Sequence, residues 1–342
     1  MRGHERLDED DVRVRPTRGS RPRTRRRPAH ENAADAFVTG VDRGRYRCWT
    51  GERAVTAMKA RELGRGGVVV GDRVRLAGDV SGQRGTLARV VRVQPRTAVL
   101  RRSADDADPV ERIIVANADQ LVIVSALASP PPRPRLIDRF LVAAYDAGIE
   151  PLLCLTKSDL AAPDDLLATY EPLGIRYVVT GRPFGTGLGE LRGLLAGRIS
   201  VLVGHSGVGK STLVNALVPE ADRAVGSVSP VTGRGRHTSS SAVALPLAGT
   251  GGIGSGGWII DTPGLRSFGL AHVAPDRVVS AFPEFAAALA ECEPGCSHID
   301  TGCALDEWVA EHGGPGAAAR LDSLRRLLRS RVGLDPADAS TG

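Results

Sequence analysis

Two short stretches combine residue types that hold phosphate with types that read a purine. "GHSGVGKS" places Gly204, Gly209, Lys210 and Ser211 at the spacing G-x-x-x-x-G-K-[ST]. Glycines at that spacing let the backbone N–H groups of Gly204, His205, Ser206, Gly207, Val208 and Gly209 turn toward a polyphosphate, and the helix that follows adds the positive end of its dipole. Lys210 is expected to reach the β- and γ-phosphates, and Ser211, with Thr212 beside it, to bring a hydroxyl to Mg²⁺. "DTPG", Asp261 to Gly264, follows the apolar run "GWII". An aspartate at such a strand end holds magnesium through water, and Gly264 offers its N–H to the γ-phosphate.

Upstream, "TKSD" (Thr156, Lys157, Ser158 and Asp159) supplies the base reader. Asp159 can accept from guanine N1–H and from its exocyclic amine. Adenine offers neither donor there, so GTP is preferred over ATP. The chain has three lysines against 42 arginines, and two of the three, Lys157 and Lys210, fall inside these motifs. An ammonium serves there as a compact point charge that a guanidinium fork replaces poorly. Between the phosphate loop and "DTPG" lies "GRGRHTSSS", in which Thr238 is expected to close over Mg²⁺ and the γ-phosphate, next to His237.

A second chemistry sits near the C-terminus. "CEPGCSHIDTGC" sets Cys292, Cys296, His298 and Cys303 at C-x3-C-x-H-x4-C. Three thiolates and an imidazole make a closed, structural zinc site with no position left for catalysis. The other two cysteines, Cys48 and Cys154, stand alone in apolar stretches and read as small buried hydrophobes. An odd count with this clustering fits a reducing cytosol and a metal better than a disulfide framework.

The elements that position these residues are legible in outline. "QLVIVSA", "EPLLCLT", "IRYVVT", "ISVLVG" and "GWIIDT" are apolar runs suited to a parallel sheet buried on both faces, and "LIDRFLVAAYDAG" presents Leu136, Phe140, Leu141 and Ala144 at helical spacing. Residues 113–270 therefore read as a doubly wound α/β domain. Because the guanine loop precedes the phosphate loop, the domain is a circularly permuted one. The site is assembled at the strands' C-terminal edge, so chain order costs it little, and the chain after "DTPG" runs straight into the metal-binding part.

Residues 37–112 carry short β-like runs between glycines, which suggests an OB-like barrel rich in arginine and poor in aromatic rings. Contact with phosphates of folded RNA is expected there. Residues 1–36 hold eight arginines and no acid between Val12 and Pro28, and read as a disordered basic arm. Residues 271–335 read as a helical zinc-binding domain, with Arg320, Arg325, Arg326, Arg329 and Arg331 forming a second basic surface, and residues 336–342 as a tail. The net charge is +6, and no run reaches membrane-spanning length, so a cytoplasmic protein is expected.

With these motifs in this order, the sequence resembles the RsgA/YjeQ family of circularly permuted ribosome-assembly GTPases. The likeness spans about residues 37–335, from "VGDRV", "QPRTAVLRR" and "ANADQLVIVSA" through "TKSDL", "GHSGVGKSTLVNAL", "GRGRHTSSS" and "DTPGLRSFGL" to the cysteine cluster. It implies a monomeric GTPase that binds the small ribosomal subunit and its rRNA late in maturation, and hydrolyses GTP faster on it. Thr156 departs from the family's asparagine, which predicts weaker GTP binding. The usual base-backing "SA" has its counterpart in Thr180 and Gly181. Leu265 stands where Ras-type enzymes place a water-orienting glutamine, so unassisted turnover of no more than roughly 10⁻³ s⁻¹ is expected. His237 is the candidate to orient the water. Two rivals remain: a nucleotide-dependent metabolic enzyme, disfavoured by the flanking basic modules, and a non-enzymatic or weakly GTP-responsive RNA-binding protein on the same fold, which only Thr156 favours.

Overall fold

The computed structural model describes residues 30, 32–63, 67–102, 112–219, 242–247, 256–262, 270, 272–314 and 316–332. Most of the expected basic arm and the C-terminal tail fall outside them.

Alternation of apolar and polar residues builds the first five strands: β1 (Ala34–Asp42), β2 (Arg45–Trp49), β3 (Ala54–Lys59), β4 (Arg73–Gly78) and β5 (Ala88–Val93). They pair in the order β1-β2-β3-β5-β4, and β4 returns to β1 through Ala34↔Leu76 to Phe37↔Arg73, which closes a barrel. Val74 and Leu76 of β4, with Ala88 and Val90 of β5, point into its core. The period of two then sends Arg73 and Arg89 outward, and an irregularity in the β4–β5 register, which skips Val91, turns Arg92 outward as well; all three are exposed. β1 starts three residues before Phe37, where the barrel was expected to begin.

The strands β6 (Val99–Arg102) and β7 (Arg112–Ala116) form a separate antiparallel pair. Leu100 and Val115 leave the barrel core and join the large cluster that contains Phe140. A buried polar junction ties this pair to the barrel. Arg96 grips Asp72 with two bonds of 2.7 and 2.8 Å, and the Asp72 side chain is fully buried. Asn117 donates to the Gly71 carbonyl at 2.9 Å and accepts from the Thr97 N–H at 2.8 Å. The stretches "VGDRV", "QPRTAVLRR" and "ANADQ" thus meet at one place. Buried polar groups persist only when paired in this way.

The second half of the sheet comprises β8 (Gln120–Ala126), β9 (Glu150–Thr156), β10 (Arg176–Val179), β11 (Arg198–Val203), β12 (Val243–Pro246) and β13 (Gly257–Asp261), in the order β10-β9-β8-β11-β13-β12. The five apolar runs of the sequence are its five parallel strands. β12, four residues flanked by glycine- and serine-rich text, carries too little pattern to be found by sequence. It runs antiparallel to β13 and meets β1 at Gly40↔Val243, so barrel and parallel sheet form one continuous eleven-stranded sheet.

Helix α1 (Pro134–Ala147) covers one face, α2 (Asp164–Tyr170) packs its Leu166 and Tyr170 into the same cluster, and α3 (Leu188–Leu195) and α4 (Lys210–Leu217) cover the other face. α1 buries more than the expected stripe: Ile137, Asp138 and Val142 join Phe140, Leu141 and Ala144, while Leu136 is only half-buried. The reason is a second neighbour. After α5 (Pro275–Val279), α6 (Ala286–Glu291) and α7 (Ala304–His312), helix α8 (Ala317–Val332) lies along α1. Leu321, Leu324, Leu327 and Leu328 of α8 share one core with the sheet, so this C-terminal part packs into the main body of the protein.

The arginines of α8 correct the sequence reading most sharply. Arg326 pairs with the buried Asp138 at 3.1 Å and lies over the Tyr170 ring. Arg320 pairs with Glu284, bonds the Pro172 carbonyl at 2.7 Å and covers Phe282. Arg325 pairs with Asp306, Arg329 donates to the Ile299 carbonyl and Arg331 to the Val273 carbonyl. All five are buried or half-buried and are bonded within the chain. They staple the helix down and do not form a second basic surface. Among the described residues, no helix is long and apolar enough to cross a membrane.

Candidate functional site

Parallel strands deliver their C-terminal ends to one edge, and each nucleotide motif sits at such an end: Thr156 closes β9, Thr180 follows β10, Gly204 follows β11 and Asp261 closes β13. The reversed chain order therefore leaves the site whole. Gly204 has φ +153, and a Cβ there would stand 2.4 Å from the Val124 carbonyl oxygen. Only glycine lets the loop leave the sheet so close to β8.

Lys210 opens α4 with its ammonium 2.8 Å from the Thr262 carbonyl and 3.3 Å from Asp261 Oδ1. Asp261 Oδ1 is buried and has no hydrogen-bond partner. A buried carboxylate oxygen that, among the described residues, makes no hydrogen bond and has only the ion pair with Lys210 suits a hydrated Mg²⁺ beside a phosphate loop, and Ser211, exposed in the first turn of α4, offers the complementary hydroxyl. His205 turns its Nδ1 to the Ser206 carbonyl at 2.8 Å and lines a pocket with Ser125, Arg133 and Phe140. Burial, and then the nearby cations Arg133 and Lys157, push its pKa below the usual histidine value. His205 is accordingly neutral at pH 7.

The base-reading loop is clasped to the phosphate loop by two side chains. Thr156 donates to the Val208 carbonyl at 2.6 Å. Lys157, at φ +61, donates to the Gly207 carbonyl at 2.9 Å and to the Ser129 carbonyl. Ser158 N–H bonds the Thr180 carbonyl at 3.2 Å, which brings the two base-side loops together. A Cβ on Gly181 would stand 2.7 Å from Ser158 Oγ and 2.9 Å from Thr186 Oγ1, so the glycine leaves room for both hydroxyls where they stand. Asp159 is exposed beside them, with its carboxylate available to a base. His237, Thr238 and Gly264 lie outside the described residues.

The ligand atoms of Cys292, Cys296, His298 and Cys303 all lie within 4.8 Å of one another, in the loop between α6 and α7. Burial, followed by the neighbouring Cys303, pushes the Cys292 thiol up, and burial pushes His298 down. His298 Nδ1 is buried without a partner. Three crowded thiols and a neutral imidazole with an orphaned nitrogen fit one tetrahedral Zn²⁺. Sequence reasoning missed the device that shapes this loop. Arg325 bonds Asp306 at 2.8 and 2.7 Å, the Asp300 carbonyl at 2.9 Å and the His298 carbonyl at 3.4 Å. It also missed the Ser129 carbonyl as a partner of Lys157. Neither contact leaves a local signal, because donor and acceptor lie far apart in the chain.

Residues 93–271 match the family described as RsgA GTPase. The chain is 39% identical over 271 residues to "Small ribosomal subunit biogenesis GTPase RsgA 1" of Vibrio vulnificus, covering 77% of this chain and 74% of the relative. It is 38% identical over 292 residues to the protein named "Small ribosomal subunit biogenesis GTPase RsgA" of Gemmatimonas aurantiaca, covering 83% of this chain and 92% of the relative. Among solved structures, YjeQ from Thermotoga maritima superposes with a TM-score of 0.60 at 25% identity, over 88% of this chain and 99% of that one. YloQ, described as a circularly permuted GTPase, shares the fold with a TM-score of 0.60 at 20% identity, over 91% and 99%.

Proposed function

This chain belongs to the RsgA GTPase family and is a GTP hydrolase, and on that premise we propose that it binds the small ribosomal subunit late in its maturation, hydrolyses GTP faster there and leaves when hydrolysis is complete. The observation that carries the reading is the meeting of Lys210, Asp261 and the Thr156–Asp159 loop at one sheet edge. The name shared by the curated relatives supplies the partner.

In this reading Asp159 selects guanine and the 204–209 backbone holds the phosphates. Lys210 leaves Asp261 to meet the β- and γ-oxygens. Mg²⁺, held by Ser211 and Asp261, would neutralise charge on the β- and γ-phosphates. Thr238 and Gly264 sense the γ-phosphate, and His237 orients the attacking water. Cys292, Cys296, His298 and Cys303 would hold Zn²⁺, which would tie the α6–α7 loop together. The arginine-bearing outer face of the barrel (Arg73, Arg89 and Arg92) contacts rRNA, and GTP favours the docked form. Residues 37–112, 113–270 and 271–335 are the working units of a cytoplasmic monomer.

The test is turnover of GTP and of ATP by the purified protein, with and without small ribosomal subunits at one salt concentration. Slow GTP hydrolysis that rises steeply with subunits, and loses that rise in His237→Ala, is expected. Turnover indifferent to subunits, or equal for ATP, would refute the proposal.

A further inference from the structure

A threonine hydroxyl owns one proton, and everything else it offers is acceptor. Thr156 sits at the end of β9 with only 4% of its surface exposed. Its Oγ1 lies 2.6 Å from the Val208 carbonyl and 3.5 Å from the Ser125 carbonyl. Both neighbours accept only, so the proton is spent on backbone, by the shorter contact on the phosphate loop. Lys157 spends two of its three protons likewise, on Ser129 and Gly207.

The consequence falls on the base. Guanine presents two donors, N1–H and its exocyclic amine, on its Watson–Crick edge beside the acceptor O6, and a further acceptor, N7, on its major-groove edge. Asp159 matches the donors. An acceptor such as N7 needs a donor, and Thr156 has none left. An asparagine in the same place would carry two N–H donors, enough to hold the Val208 carbonyl and still reach a base.

We propose that Thr156 serves the phosphate loop alone, so that this protein reads guanine by its Watson–Crick edge and Thr156 gives no donor to N7. This rests on the nucleotide-site reading above and sharpens its specificity. Thr156 is then a positioning residue: a Cβ on Gly209 would lie only 3.7 Å from its Oγ1, which places the hydroxyl against the turn that starts α4.

The test is calorimetric titration of the full-length protein with GDP and with 7-deaza-GDP, in which N7 is replaced by C–H. The wild type is expected to bind both within about twofold, because no hydrogen bond is lost. Thr156→Val keeps the shape and deprives the Val208 carbonyl of its donor, and should weaken both ligands together by about fivefold or more. Thr156→Asn should introduce a preference for GDP over 7-deaza-GDP of about fivefold or more. A larger loss on 7-deaza-GDP in the wild type, or a Thr156→Val effect confined to GDP, would overturn the proposal even if the asparagine variant fails to fold. Equal binding of GDP and ADP would instead overturn the nucleotide-site reading on which it stands.

Discussion

Replacing Arg325 with methionine removes a guanidinium whose side chain is 6% exposed, while its partner Asp306 is 33% exposed. The Arg325 side chain holds the α6–α7 loop through Asp306, the carbonyls of Asp300 and His298, and a 3.9 Å contact to Cys303 Sγ. Breaking a buried ion pair by deleting one member costs about 3–5 kcal/mol. Asp306 can rehydrate at its exposed side and methionine fills most of the vacated volume, so the lower end, about 3 kcal/mol, applies. The leucines of α8 are untouched, so the loss should fall on the ordering of the loop that carries His298 and Cys303. If so, about 3 kcal/mol lowers zinc affinity by about 100-fold. Competition against a chromogenic chelator reads that affinity, and far-ultraviolet circular dichroism in guanidinium reads the fold separately. Zinc affinity within about threefold of wild type would refute the reasoning, as would zinc loss seen only when the dichroism reports global unfolding.

Asp159→Asn should weaken GDP binding by about 100-fold and favour xanthosine diphosphate, whose 2-carbonyl accepts from the new amide, and retained GDP affinity in a titration would count against Asp159 as the base reader. Burial pushes the thiols of Cys48 and Cys154 up to about 12. They stay protonated below that value, so after chelation alkylation at pH 8 should mark Cys292, Cys296 and Cys303 only, as read by mass spectrometry of the native protein. Unfolded thiols ionise near 9.0, so these two cysteines should also make the fold less stable as pH rises beyond that value, a trend measurable by denaturant titration.

The chemistry of this protein was legible wherever it depends on residues close in sequence. The spacing of Gly204, Lys210 and Ser211 needs only one strand-to-helix turn, and the cysteine knuckle needs only a loop of twelve residues, Cys292 to Cys303. The five parallel strands announced themselves because burial on both faces demands unbroken apolar runs. The reversed motif order alone was enough to imply the permutation. His237, Thr238 and Gly264, chosen from sequence, lie outside the described residues and rest on that reading.

What tertiary structure decided is partnership across distance. An arginine-crowded helix looks the same in sequence whether its charges face water or carboxylates. Arg326 finds Asp138 188 residues away, and Arg320 and Arg325 find Glu284 and Asp306, which turned an expected RNA surface into a set of internal staples. Thr156 likewise looked like a weakened base contact until its proton was traced to Val208 across the site. Sequence fixes which donors and acceptors a chain owns, because those are properties of single residues. Which of them remain to meet a ligand is settled only when folding has matched the rest, because a buried proton or carboxylate must be paired with whatever the fold brings beside it.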